Sequence, residues 1–130
     1  MNCEPGIITP EELDRVKELF TEVGLDTIRQ MIESNHASLK DLEDKDEILQ
    51  KLQATVDETT VFCEKVSQKE SNDRESSWVL LHLQTTKLVV MRELFDFYSL
   101  AKQKLGSNAD VIIEKNENIA PKIKILFGTL

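Results

Sequence analysis

The stretch SWVLLHLQTTKLVVMRELFDFYSLAKQKLG, residues 77–106, decides the fold because it has the period of a helix and is apolar around most of its circumference. Its polar positions form one narrow stripe, at Thr85, Arg92, Asp96, Ser99 and Gln103. Burying one large apolar side chain contributes about 1.5–3 kcal/mol, so exposing half a dozen would offset the typical stability of a domain, about 5–15 kcal/mol. At least two further helices, or a partner chain, must therefore pack against this segment.

The preceding segment predicts the other arm of a helical hairpin. Apolar residues recur at spacings of three, four or seven between residues 38 and 69, after a capping signal at Ser38. Residues 67–77, SQKESNDRESS, contain no apolar side chain and are predicted to form a polar loop. The acidic run at residues 43–47 allows a break, but we expect one continuous helix because charge alone does not end a helix. The two helices, about 38–69 and 77–105, form a long antiparallel αα-hairpin.

Shorter helices are predicted on either side of this hairpin. Thr9 and Pro10 are typical of a helix start and Gly24 of a helix end, and a second short helix follows over about 26–34. Another helix begins near residue 108, and the segment 119–130 fits either a helical turn or a short strand. The sequence thus predicts a single all-α domain over residues 1–130. It is an elongated bundle of three to five helices with N- and C-terminal helices packed on the hairpin and residues 1–8 mobile.

The charge and composition of the chain argue against nucleic acid and membranes as partners. Sixteen Lys and Arg residues against twenty-four Asp and Glu give a net charge of −8, which repels nucleic-acid backbones and anionic membrane surfaces. No apolar run approaches the length of a membrane span, so we expect no membrane insertion. The chain opens without the pattern of a secretory signal, and its two cysteines lie far apart. These features favour a cytoplasmic or nuclear location.

The residues that could support catalysis or metal binding do not form complete motifs. Glu33 and His36 have the spacing found in di-iron bundles, but that site needs a second such pair, and His82 has no glutamate three residues before it. Cys63 lies on an apolar stripe and His36 is expected in a loop. The scattered glycines form no phosphate-binding loop. We therefore expect no enzymatic activity, no cofactor and no metal.

The apolar surplus of residues 77–105 instead predicts a non-enzymatic protein–protein interaction module. Such a module would be a small helical adaptor, scaffold or subunit of a coiled-coil assembly, with another helical chain or a second copy of itself as partner. One side of the helix is expected to line the core, through Trp78, Leu81, Leu88, Phe95 and Leu105. The other side is expected to bind the partner, through Leu80, Leu83, Val90, Leu94 and Phe97. The alternative is a self-contained bundle that binds a short peptide or an apolar ligand in a groove between helices.

Overall fold

Six helices follow one another in the computed structural model, which describes residues 9–71 and 75–128. They are α1 (Pro10–Val23), α2 (Leu25–Leu39), α3 (Lys45–Glu70), α4 (Ser77–Leu105), α5 (Ala109–Glu114) and α6 (Ala120–Phe127). The described residues include no strand, so the all-α prediction is confirmed and the C-terminal segment is helical rather than extended. Residues 1–8, which were predicted to be mobile, lie outside the described part of the chain.

The hairpin of α3 and α4 forms the centre of the bundle, as predicted. At about 1.5 Å per residue, its 26 and 29 residues give helices about 39 and 44 Å long. α2 packs against both helices on one side, where the Asn35 side-chain amide donates to the Thr55 hydroxyl at 2.8 Å. α6 packs on another side, where Lys122 forms an ion pair with Asp57 of α3. α1 also packs against α4, so α1 and α2 are the two additional helices that cover α4 from within the same chain.

Gly24 separates α1 from α2 and sets the direction of both. Its backbone is left-handed, with φ 74°, and its N–H donates to the carbonyls of Phe20 and Thr21 to close the end of α1.

α1 lies at the closed end of the hairpin. Arg15 Nε donates to Glu75 Oε1 at 2.8 Å, and Lys69 Nζ lies 3.2 Å from Glu22 Oε2. These contacts fix α1 to the chain on both sides of the hairpin turn.

The boundary between α2 and α3 differs from the prediction. α2 continues through His36 to Leu39, and α3 begins at Lys45, so the continuous helix expected over 38–69 is wrong. The Asp44 side chain accepts a hydrogen bond from the N–H of Asp46 at 2.8 Å and caps α3. The acidic run 43–47 therefore marks a helix start, because negative side chains are favourable at a helix N-terminus.

The loop of the hairpin is shorter than predicted because α3 extends through Ser67 to Glu70. Ser71 ends α3, and Ser76 caps α4 by accepting a hydrogen bond from the N–H of Val79 at 3.2 Å. Residues 72–74 of the predicted loop lie outside the described residues.

Candidate functional site

The face of α4 that was predicted to bind a partner is the buried face, so the prediction of the two faces is wrong. Leu83, Val90, Leu94 and Phe97 are at most 1% exposed, and Leu80 packs partly buried against the same core. The Phe97 ring lies 6.5 Å from the ring of His36, which belongs to α2 and not to a loop. The chain itself covers four of these five side chains completely and Leu80 in part, which leaves little surface for a partner.

Three residues that were predicted to lie in the core form an exposed row instead. Leu81, Leu88 and Phe95 are 51%, 69% and 46% exposed, and they follow one another at intervals of seven residues. Seven residues are close to two helical turns, so the three side chains lie on one side of α4 along about 21 Å. We call Leu81, Leu88 and Phe95 the α4 outer stripe. Of the other two residues predicted to be in the core, Leu105 is buried and Trp78 is partly buried beside His82.

The α4 outer stripe remains exposed because α6 packs along α3 and contacts the stripe at Phe95. α6 ends at Phe127, whose ring packs edge-on against Phe95 with 5.7 Å between the ring centroids. Leu88 and Leu81 lie two and four turns closer to the closed end of the hairpin, away from this contact. α1 and α2 cover the opposite side of α4, where Arg29 of α2 pairs with Glu93 at 2.8 Å. The stripe therefore lies on the solvent-exposed side of α4, with Val89, 42% exposed, beside Leu88.

A groove of about 790 Å³ opens between α4, α5 and α6 at the Phe95 end of the stripe. Its apolar wall includes Phe95, Tyr98, Ile113 and Ile123. This volume falls within the range of about 300–1,000 Å³ that is common for small-molecule sites. The groove is thus concave and mostly apolar, as the binding of a short peptide or an apolar ligand requires.

The polar groups of this groove form one local network. Lys102 Nζ lies 2.6 Å from Asp110 Oδ1 and 5.5 Å from the centre of the Tyr98 ring. The hydrogen bond to Asp110 raises the pKa of Lys102, whereas burial raises the pKa of the Tyr98 phenol. Both groups therefore keep their protons at neutral pH, Lys102 as a cation and Tyr98 as a neutral hydrogen-bond donor. Lys124 also lines the groove, on the α6 side.

The side chains with catalytic or metal-binding chemistry are dispersed. Burial raises the pKa of the Cys63 thiol, which lies 3.7 Å from the Met91 sulfur, so this cysteine is a protonated and weakly nucleophilic core residue. Within residues 9–71 and 75–128, no three His, Cys, Asp or Glu side chains are grouped so that they could hold a metal ion. None of the helices in the described part combines the length and the apolarity needed to cross a membrane.

Sequence reasoning missed the α4 outer stripe and the residues of α5 and α6 that complete the groove. The stripe had a visible signal, because Leu88 and Phe95 lie within one turn of the polar position Arg92. The pairing of Lys102 with Asp110 had none, since it depends on how the chain turns after α4. No protein-family model matches the sequence, and neither a curated protein nor a solved structure matches it significantly.

Proposed function

We propose that this protein is a non-enzymatic protein–protein interaction module, a small helical adaptor or complex subunit, which docks a partner helix on the α4 outer stripe. The observation that carries this proposal is the exposure of Leu88, which is 69% exposed at the centre of the stripe with Leu81 and Phe95 seven residues away on either side. A row of large apolar side chains at heptad spacing supplies one of the two apolar positions that a coiled-coil seam has in each heptad. Contiguous exposed apolar surface marks interaction sites in soluble proteins, whereas single exposed apolar residues are common.

The size of the stripe limits the strength of the complex. Covering the exposed parts of three large side chains contributes roughly 3–5 kcal/mol, before the loss of translational and rotational freedom is subtracted. Because that loss is about 4 kcal/mol or more, the stripe alone does not hold a partner, and a stable complex also requires polar contacts at its edges. The proposed setting is the cytoplasm or nucleus, where the free thiol of Cys63 stays reduced.

Quantitative affinity capture with matched variants tests this proposal. Leu88→Asp places a charge in the centre of the stripe, whereas Leu13→Asp changes a leucine of α1 that is 42% exposed. We expect Leu88→Asp to release a specific set of captured proteins that Leu13→Asp retains, with both variants folded by circular dichroism. Light scattering on the purified chain shows whether a second copy is the partner. Equal capture by both variants and the unchanged protein would contradict the proposal.

The groove between α4, α5 and α6 supports a second candidate function, the binding of a short peptide or apolar ligand. The observation in its favour is the groove volume of about 790 Å³ beside Phe95 and Tyr98. Ser99 lines the groove and is exposed, so Ser99→Trp fills the groove without changing the core. If the groove binds apolar molecules, an environment-sensitive dye should bind the unchanged protein and be excluded by Ser99→Trp. Equal dye binding by both proteins would show that the dye-binding site lies outside this groove.

A further inference from the structure

The charge of this chain is unevenly distributed, and the two helices that carry five of the eight exposed large apolar side chains among the described residues, α4 and α6, are positive. α4 and α6 together contain six basic residues and two acidic residues, which gives these helices a formal charge of +4. Because the whole chain has a charge of −8, the remaining residues sum to −12. The basic residues concerned are Lys87, Arg92, Lys102, Lys104, Lys122 and Lys124.

Three of these cations lie around the α4 outer stripe. Arg92 follows Leu88 by four residues and precedes Phe95 by three, so it shares the exposed face of α4 with both. Lys87 lies on the flank of α4 next to α3, where it lines a shallow groove with Ile125 of α6. Lys124 lies beside Phe95 in the larger groove. Among the described residues, none of these three cations forms an ion pair.

Two of the acidic residues near the stripe form ion pairs within the chain. Arg29 of α2 engages Glu93, and Lys102 engages Asp110. Asp96 is exposed on α4, and Glu64 of α3 lines the shallow groove with Lys87; among the described residues neither carboxylate forms an ion pair. Glu114 lies across the larger groove on α5. A partner helix that lies along α4 therefore faces three unpaired cations and two unpaired carboxylates, whereas α5 contains two acidic residues and no basic residue.

From this charge pattern we infer that the partner is an acidic amphipathic helix, with Asp or Glu residues on both sides of a heptad row of apolar side chains. This inference rests on the proposed function and specifies its partner. The apolar row covers Leu81, Leu88 and Phe95, while the acidic flanks face Arg92 on one edge and Lys87 and Lys124 on the other. Charges that are complementary across an interface select the partner and its register more than they add affinity.

An anionic membrane surface shares the attraction to cations and apolar side chains, but it fits this face less well. The stripe has one large apolar side chain per heptad, with Val89 at 42% exposed beside Leu88, and this narrow row is a surface that a single helix can cover. A lipid surface instead requires a broad apolar face with basic residues along it. The charge of −12 on the rest of the chain also opposes approach to an anionic bilayer.

Two synthetic helical peptides provide the test. Both contain three heptads with leucine at the a and d positions, and they differ only at e and g, where one has Glu and the other Lys. The like-charged flanks keep each peptide from pairing with itself. The chain as a whole attracts the Lys peptide because of its charge of −8, so a preference for the Glu peptide must come from the local surface.

We expect fluorescence anisotropy at low salt to show the Glu peptide binding about tenfold more tightly than the Lys peptide. This value corresponds to two exposed ion pairs, each changing affinity by a few-fold. The difference should shrink in 0.5 M salt. Arg92→Glu should weaken the binding of the Glu peptide and strengthen the binding of the Lys peptide. Lys17→Glu, an exposed change on α1, should change neither affinity.

The outcomes separate the inference from the proposed function. Equal binding of the two peptides, or a preference for the Lys peptide, would overturn the acidic partner while leaving helix docking intact, provided that Leu88→Asp weakens both. If neither peptide binds, or if Leu88→Asp changes neither affinity, helix docking on the stripe fails and the inference fails with it. Binding to phosphatidylserine vesicles that displaces the Glu peptide and is lost in Arg92→Glu would replace the helix by a membrane surface.

Discussion

Alanine substitutions on the two sides of α4 should differ several-fold in their effect on the free energy of unfolding. Phe97 is fully buried, so Phe97→Ala removes an aromatic side chain from the core and leaves a cavity, at a cost of about 3–5 kcal/mol. Leu88 is 69% exposed, and only about a third of the transfer energy of a leucine is lost in Leu88→Ala. That loss is about 0.5 kcal/mol, and the higher helix propensity of alanine partly offsets it.

Urea denaturation followed by circular dichroism at the helix band measures both costs. With a slope of about 2 kcal/mol per M, Phe97→Ala should lower the urea midpoint by roughly 1.5–2.5 M and Leu88→Ala by less than about 0.3 M. If Phe97→Ala does not fold, Phe97→Leu can be measured instead. It leaves a smaller cavity, so its shift of the urea midpoint should lie between those of Phe97→Ala and Leu88→Ala. Equal midpoint shifts for Phe97→Ala and Leu88→Ala would refute the assignment of the buried and exposed faces, and with it the α4 outer stripe.

Three further perturbations test other parts of the fold. Gly24→Ala should cost about 1–2 kcal/mol in urea denaturation, because alanine is strained at φ 74° even though no neighbour lies within 4 Å of an added Cβ; Gly24→Asn should cost less. Glu75→Gln should cost about 1 kcal/mol, because the Glu75 side chain is 5% exposed and accepts from Arg15, whereas Lys17→Gln on the surface of α1 should cost almost nothing. Burial raises the pKa of Cys63 and Tyr98 above their usual values of 9.0 and 10.0, so the unfolded chain loses these protons first and the free energy of unfolding should fall as the pH rises above about 9. A Cys63→Val, Tyr98→Phe double variant should show a smaller fall in urea titrations between pH 7 and 11.

Local signals in the sequence were sufficient where a few neighbouring residues determine the structure. The start of α1 depends on the Thr9 hydroxyl, which accepts from the N–H of Glu12 at 3.1 Å, and both residues lie within one turn. The end of α1 depends on the left-handed backbone of Gly24. Such caps could be predicted because they satisfy backbone groups without reference to the rest of the chain.

The start of α3 could not be decided in the same way, because two capping signals compete over a few residues. Ser38 with Asp41 and Asp44 with Glu47 both have the spacing of a capping box, and both precede apolar residues of helical period. Leu39 is fully buried as the last residue of α2. The packing of α2 against the hairpin therefore determines which of the two capping signals starts α3. The chain turns after Leu39, and the second signal is the one that caps a helix.

The buried and exposed faces of α4 were predicted wrongly for a different reason. The polar residues that mark the exposed face are visible in the sequence, but apolar residues occur on nearly every face of the helix. The polar positions Thr85, Arg92 and Ser99 mark the side of the helix that faces water, and all three are exposed. Leu88 and Phe95 lie within one turn of Arg92, whereas Val90 and Phe97 lie on the opposite side. On a helix with apolar residues on nearly every face, the few polar residues therefore locate the core better than the apolar ones do. The leucines and phenylalanine beside that polar row are the side chains that the fold leaves uncovered, and for this reason they carry the proposed function.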